Sequence, residues 1–210
     1  HAHGVEVALS REQRENVRKR FADSPIELVQ LGSAYEFHSP SPEELQMNIQ
    51  GAREYAQLAH DVGAKGIKVR PNSLPQGIPE EAVLEQIGHS LREVGKTAEG
   101  LGVEVRLEVH GKETCRLPRI RKIMDYADHP SVVVNWNSNK EDLMDGGFDA
   151  GFDLVKDRIR HVHINELYNE EDPWRRLFER LQEIGYNGYC CAEIPGSPEP
   201  ARLLKYYRAI

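Results

Sequence analysis

Two rhythms of apolar residues alternate along the chain. In the segment EELQMNIQGAREYAQLAHDVG, positions Leu45, Ile49, Ala52, Tyr55, Ala56 and Ala59 recur at helical spacing, which predicts an amphipathic helix ended by Gly63. Ahead of it, SREQRENVRKRFA (10–22) opens on a serine suited to capping and predicts a helix. IELVQLGSAYEF then reads as a strand with its exit loop, closed off by Pro40 and Pro42. The alternation continues with strand KGIKVRP, helix 79–100, strand VEVRLEV, helix 117–127, strand SVVVNWN and a helix near 149–157. Strand RHVHIN, helix 173–184, strand GYCCAEI and helix 199–208 complete it. Strands alternating with helices predict parallel pairing through helical crossovers, hence an α/β fold, and no linker or low-complexity tract divides it. The chain reads as one domain, 1–210.

An open doubly wound sheet and a closed (β/α)8 barrel both satisfy that order. A doubly wound nucleotide binder calls for a glycine-rich turn after an early strand, and the only candidate, LGSAYEF, lacks the required glycine spacing. Four strand ends favour the barrel. Glu108 ends RLEVHG, Asn137 ends VVVNWN, His163 lies in RHVHIN and Glu193 in YCCAEI, separated by 29, 26 and 30 residues. Each gap accommodates a strand, a helix and two loops, so four neighbouring strands present one polar group each at the end where barrel enzymes keep their active sites. Carboxylate oxygens and an imidazole suit a hard or borderline divalent ion such as Mn, Mg, Co or Zn.

Strand alternation places Glu108 with His110, Asn135 with Asn137, His161 with His163, and Cys191 with Glu193 on shared faces. Trp136 then points away, beneath the helices. An inward glutamate needs a partner, either a shared cation or a neighbouring lysine or arginine, because an unpaired buried ion costs several kcal/mol, roughly 3–5. Arg70, ending KGIKVRP, is a candidate for binding a substrate hydroxyl or phosphate, or for pairing with an acid. Glu166, three residues past His163, is a candidate substrate contact or an acid that orients the histidine. His1, His3, His38, His60, His89 and His129 lack ligand spacing with the four strand-end groups.

Charge narrows the partners. With 27 basic and 34 acidic residues the net charge is -7, which argues against nucleic acid and anionic membranes as general partners. No apolar run is long enough to span a bilayer. Cys115, Cys190 and Cys191 form no disulfide framework and no CxxC, so reduced thiols in a cytoplasmic protein are expected. The chain starts HAHG, and no secretion signal is visible there.

The motifs LEVHG, VVVNWNSN, RHVHINE and YCCAEI, in this order and spacing, resemble the sugar phosphate isomerase/epimerase family with its xylose-isomerase-like TIM barrel. That family includes ketose 3-epimerases, hydroxypyruvate isomerases and inosose dehydratases. The resemblance implies a divalent metal held by Glu108, the residue at 137, His163 and Glu193. In the epimerase branch it implies that the two glutamates relay a proton across the substrate, which His110 contacts. Two departures stand out. The family usually carries aspartate where this chain has Asn137, so the ligand charge drops from three negatives to two, which weakens cation binding. The family barrel has eight strands and this sequence shows six, matching the third to the eighth. An N-terminally incomplete chain is therefore expected, lacking about 40 to 60 residues against a typical barrel length, with GVEVALS as a loop and open sheet edges that invite pairing with another copy.

The expected activity is metal-dependent isomerisation or epimerisation of a small sugar, keto-sugar or sugar phosphate through an enediolate, with Glu108 and Glu193 as the proton carriers. A keto-sugar dehydratase shares the first step. An apurinic-endonuclease-like phosphodiesterase needs more histidine and carboxylate ligands and a basic face. A non-catalytic sugar-binding barrel is the remaining alternative.

Overall fold

The computed structural model describes residues 4–209; His1 and His3 lie outside them. The first helix, α1 (Arg11–Ala22), begins in a capping box, where Gln13 N–H donates to Ser10 Oγ and Ser10 N–H donates to Gln13 Oε1. Two backbone donors that the helix start would leave unpaired are thereby satisfied. GVEVALS is loop, as expected.

Six parallel strands follow in strict sequence order: β1 (Leu31–Glu36), β2 (Gly66–Arg70), β3 (Glu104–Glu108), β4 (Val132–Asn137), β5 (Ile159–Ile164) and β6 (Cys190–Ala192). Between and after them run α2 (Pro42–Val62), α3 (Glu80–Leu101), α4 (Leu117–Ala127), α5 (Phe148–Val155), α6 (Trp174–Glu183) and α7 (Pro200–Tyr207). The strands curve into part of a barrel with helices on the outer face, a half-barrel among the described residues.

Two strands are shorter than their sequence patterns predict. The run from 26 to 30 forms no ladder before Leu31; instead Val29 C=O accepts from Arg106 Nη1 at 3.0 Å, so backbone that would pair with β2 serves an inward side chain. In GYCCAEI only Cys190–Ala192 is strand. Tyr189 C=O still accepts from Val162 N–H and Glu193 N–H still donates to Ile164 C=O at 2.9 Å, so the backbone stays tied to β5 on either side. Helix α5 ends at Val155, and a 3-10 turn, Lys156–Arg158, completes the predicted segment.

Alternation sorts the side chains. Val105 and Leu107 of β3 and Val132, Val134 and Trp136 of β4 are buried in the apolar layer beneath the helices. Trp136 is wholly enclosed, its ring 5.7 Å from that of Phe148 and 5.5 Å from that of Phe152. Helices α3 and α4 approach closely because Gly88 has no Cβ; one built there would lie 2.3 Å from Tyr126 Cβ. On the inner face the residues are polar. Arg106 lies over Gly66, pairs with Glu104 at 2.8 Å and reaches Gln30 Oε1 at 3.4 Å. Burying this guanidinium is tolerable because its donors are met by a carboxylate and by carbonyl oxygens.

Candidate active site

The register of the sheet staggers the candidate residues along the barrel wall. Glu108 is level with Asn135, while Asn137 is level with His163, and His163 with Cys191. Glu193 falls just past the end of β6, where its N–H bond to Ile164 holds it beside β5. In consequence three of the four predicted groups converge. His163 Nδ1 is 3.1 Å from Glu108 Oε1 and 3.1 Å from Glu193 Oε2. Ligand atoms of the three residues all lie within 4.8 Å of one another.

The two carboxylates sit in unlike surroundings. The Glu108 side chain is 2% exposed and its Oε2 accepts from Lys68 Nζ at 2.9 Å; the Glu193 side chain is 53% exposed. Burial would push the Glu108 carboxyl up, but hydrogen bonds from His163 and Lys68 outweigh it and hold the group down to about 2. The hydrogen bond to His163 also lowers Glu193, against a smaller effect of burial. Burial depresses His163, yet its contacts with Glu108 and Glu193 win and its pKa lies above the ordinary histidine value. His161, one step deeper on the same strand, is pressed to about 3 by burial and by the charges of Arg106 and His163. It is a neutral imidazole at physiological pH.

Lys68, Gln30 and Asn135 complete the cluster; alternation placed Asn135 on the face of Asn137, whereas Lys68 and Gln30 were not singled out from sequence. Gln30 Nε2 lies 3.0 Å from His163 Nε2, and Asn135 Nδ2 lies 3.3 Å and 3.4 Å from the two ring nitrogens. Lys68 shares a face with Arg70 by simple alternation, a signal that was legible. Gln30, inside the run IELVQLGSAYEF that reads as strand and exit loop, carried none, since its partner lies 133 positions away.

The remaining candidates stand apart from the three-residue cluster. Arg70 pairs with Glu36, which also accepts from Asn72 Nδ2 at 2.6 Å and has His38 Nδ1 at 3.9 Å. Glu166 does not orient His163. It accepts from Tyr207 Oη of α7 at 3.4 Å, while His163 has its partners in Glu108, Glu193, Gln30 and Asn135. His110 is half-buried, and its carbonyl accepts from Thr114 Oγ1 at 3.0 Å. Cys190 and Cys191 are free thiols.

The donor set fits a divalent cation. Two carboxylates meeting on one imidazole nitrogen form an oxygen-rich site with a single nitrogen, the chemistry that hard and borderline ions prefer. Asn137 Oδ1 is buried without a hydrogen-bond partner among the described residues, an oxygen left over on the strand beside His163.

This fold and donor set define an enzyme-type parallel barrel with its polar centre at the carboxyl ends of the strands. The chain belongs to the xylose isomerase-like TIM barrel family, whose model matches residues 2–209. A D-psicose 3-epimerase of Ruminiclostridium cellulolyticum is 26% identical over 145 residues, which cover 65% of this chain and 50% of that protein. The chain thus spans about half the length of the curated relative it matches. The structure of the apo 3-keto-D-glucoside 4-epimerase from E. coli is 17% identical, with a TM-score of 0.81 over 95% of this chain and 86% of that one. That of D-psicose 3-epimerase with D-tagatose from Clostridium cellulolyticum H10 is 20% identical, with a TM-score of 0.75 over 89% and 70%. At these identities the two structures establish the shared fold. Among the described residues no helix is long and apolar enough to cross a membrane.

Proposed function

We propose that this chain carries the active site of a divalent-metal-dependent isomerase or epimerase acting on a small sugar, keto-sugar or sugar phosphate through an enediolate. The observation that carries this reading is the meeting of Glu108 and Glu193 on His163 Nδ1, each at 3.1 Å. The names of the similar proteins, sugar epimerases all, support the substrate class.

Glu108, Asn137, His163 and Glu193 would hold the cation, which when bound polarises a carbonyl and its neighbouring hydroxyl and so acidifies the C–H between them. One glutamate takes that proton, and the same group or the other returns it. Carboxylates below their usual pKa are anionic at neutral pH, the state a base must have before it acts. His110, just past β3, Arg70 at the carboxyl end of β2 and Glu166 beyond β5 would receive the substrate's hydroxyls. Arg70 is already neutralised by Glu36, which favours hydroxyl recognition over tight capture of an anion. A keto-sugar dehydratase would use the same first proton abstraction.

The test is exchange of the carbon-bound hydrogen beside the carbonyl with solvent deuterium, across a panel of ketoses, keto-sugars and their phosphates with Mn present. Glu108→Gln and Glu193→Gln should each lower the exchange rate at equal metal concentration, by about 10² or more. Wild-type exchange in both variants, or none on any sugar with metal bound, overturns the reading.

A further inference from the structure

Lys68 lies on the inner face of β2, its side chain 15% exposed, and its ammonium donates to Glu108 Oε2 at 2.9 Å. Nothing in the proposed chemistry uses it. Its effect is to make two nominally equivalent glutamates unequal. Glu108 has one oxygen tied to Lys68 and the other, Oε1, turned to His163. Its side chain is 2% exposed, so rotating it would break a largely buried ion pair, a costly move. Glu193 touches His163 through one oxygen, sits outside the strand ladder, and is more than half exposed. One carboxylate is clamped and the other has room to move.

We propose that Lys68 is a positioning residue that fixes Glu108 as a standing anionic ligand and leaves Glu193 as the group that carries the proton. The proposal rests on the enolising reading above. In the step it describes, Glu193 accepts the proton of the substrate C–H, the C–H electron pair becomes the enediolate double bond, and the carbonyl oxygen takes up the negative charge. Glu193 then gives the proton to the neighbouring carbon while the hydroxyl proton passes to the former carbonyl oxygen, which completes an isomerisation. Return to the original carbon from the same side gives solvent exchange alone. No oxidant or second reactant is needed.

Two independent measurements test it. The first is calorimetric titration of Mn into the wild-type protein, Lys68→Met and Lys68→Arg. A cation that shares Glu108 with the metal opposes metal binding, so Lys68→Met should bind Mn about threefold to tenfold more tightly, and Lys68→Arg should return to the wild-type value. A merely structural lysine predicts the reverse, weaker binding once the pocket loosens. Lower or unchanged affinity in Lys68→Met, or no Mn binding in any of the three proteins, overturns the proposal.

The second is deuterium exchange as metal is raised. Glu108→Gln should recover exchange at saturating Mn, because it lost a ligand charge, whereas Glu193→Gln should stay inactive because it lost the base. Recovery in both or in neither overturns the assignment of the proton to Glu193. If the wild-type protein exchanges no sugar proton at all, the enolising reading fails, and the titration still decides whether Lys68 opposes the metal through Glu108.

Discussion

Gln30 Nε2 lies 3.0 Å from His163 Nε2, so a side chain from the segment before β1 reaches across the half-barrel to the ring supplied by β5. Arg106 Nη1 donates to Gln30 Oε1, which turns the amide nitrogen towards the ring. In that orientation His163 Nε2 accepts, and Nδ1–H faces the two carboxylates. A cation that takes Nδ1 needs the proton on Nε2 and the Gln30 amide reversed to accept it.

The amide is therefore expected to set metal affinity from behind the histidine. Gln30→Leu should weaken Mn binding by about 10- to 100-fold, the range seen when a partner of a metal-binding histidine is removed. Gln30→Glu, a permanent acceptor for Nε2–H, should bind at least as tightly as wild type. Titration calorimetry on the two variants checks both directions.

Asn137 has a buried Oδ1 without a partner among the described residues, while Asn139 Nδ2 holds its backbone carbonyl at 2.6 Å. The loop is thus anchored through the main chain, and the side chain remains available. Asn137→Asp should tighten Mn binding about tenfold, equivalent to about 1.4 kcal/mol, by restoring an anionic ligand. Unchanged affinity on titration would remove Asn137 from the ligand set.

Asp142, in the turn after β4, accepts from Asn139 N–H at 3.0 Å through Oδ2, and its buried Oδ1 has no partner among the described residues. Burial pushes its pKa up to about 7, against the lowering effect of the Asn139 hydrogen bond and with help from Asp172 and Glu141. The folded chain then holds a proton that the unfolded chain has released, so stability falls as pH rises from about 4 to 7 and levels off above. Asp142→Asn should flatten that slope and gain up to about 4 kcal/mol on wild type at pH 8. Thermal unfolding at pH 5 and pH 8 tests the sign: the difference between variant and wild type must grow with pH.

Trp136 fills the layer between β4 and α5 against Phe148 and Phe152. Trp136→Ala should cost about 3–5 kcal/mol, the range for emptying a large core side chain. Denaturant unfolding measures it. Since Trp136 points away from the proposed ligands, Mn affinity of the folded fraction should stay near the wild-type value.

Much of this was readable along the chain. The outward set of Val105, Leu107, Val134 and Trp136 and the inward pair of Asn137 and His163 follow from alternation, a property of the extended backbone that needs no knowledge of its neighbours. The same local logic found the parallel order, the Ser10 cap and the inward face of Glu108. It also raised two possible kinds of partner for that glutamate, a shared cation or a lysine or arginine, and only the structure brings Lys68 to it.

Register and reach across the barrel made the difference. Lys68 is level with Arg106 on β3 and meets Glu108, two residues further along the same face, only because the strands pair with that offset. The two ends of β1 and β6 shorten where inward side chains and single backbone bonds replace the ladder. Gln30 reaches His163 because the sheet curves, bringing residues 133 positions apart into one site. Side-chain direction is written into each residue's own backbone, whereas the distance between two side chains depends on how every intervening strand and helix packs.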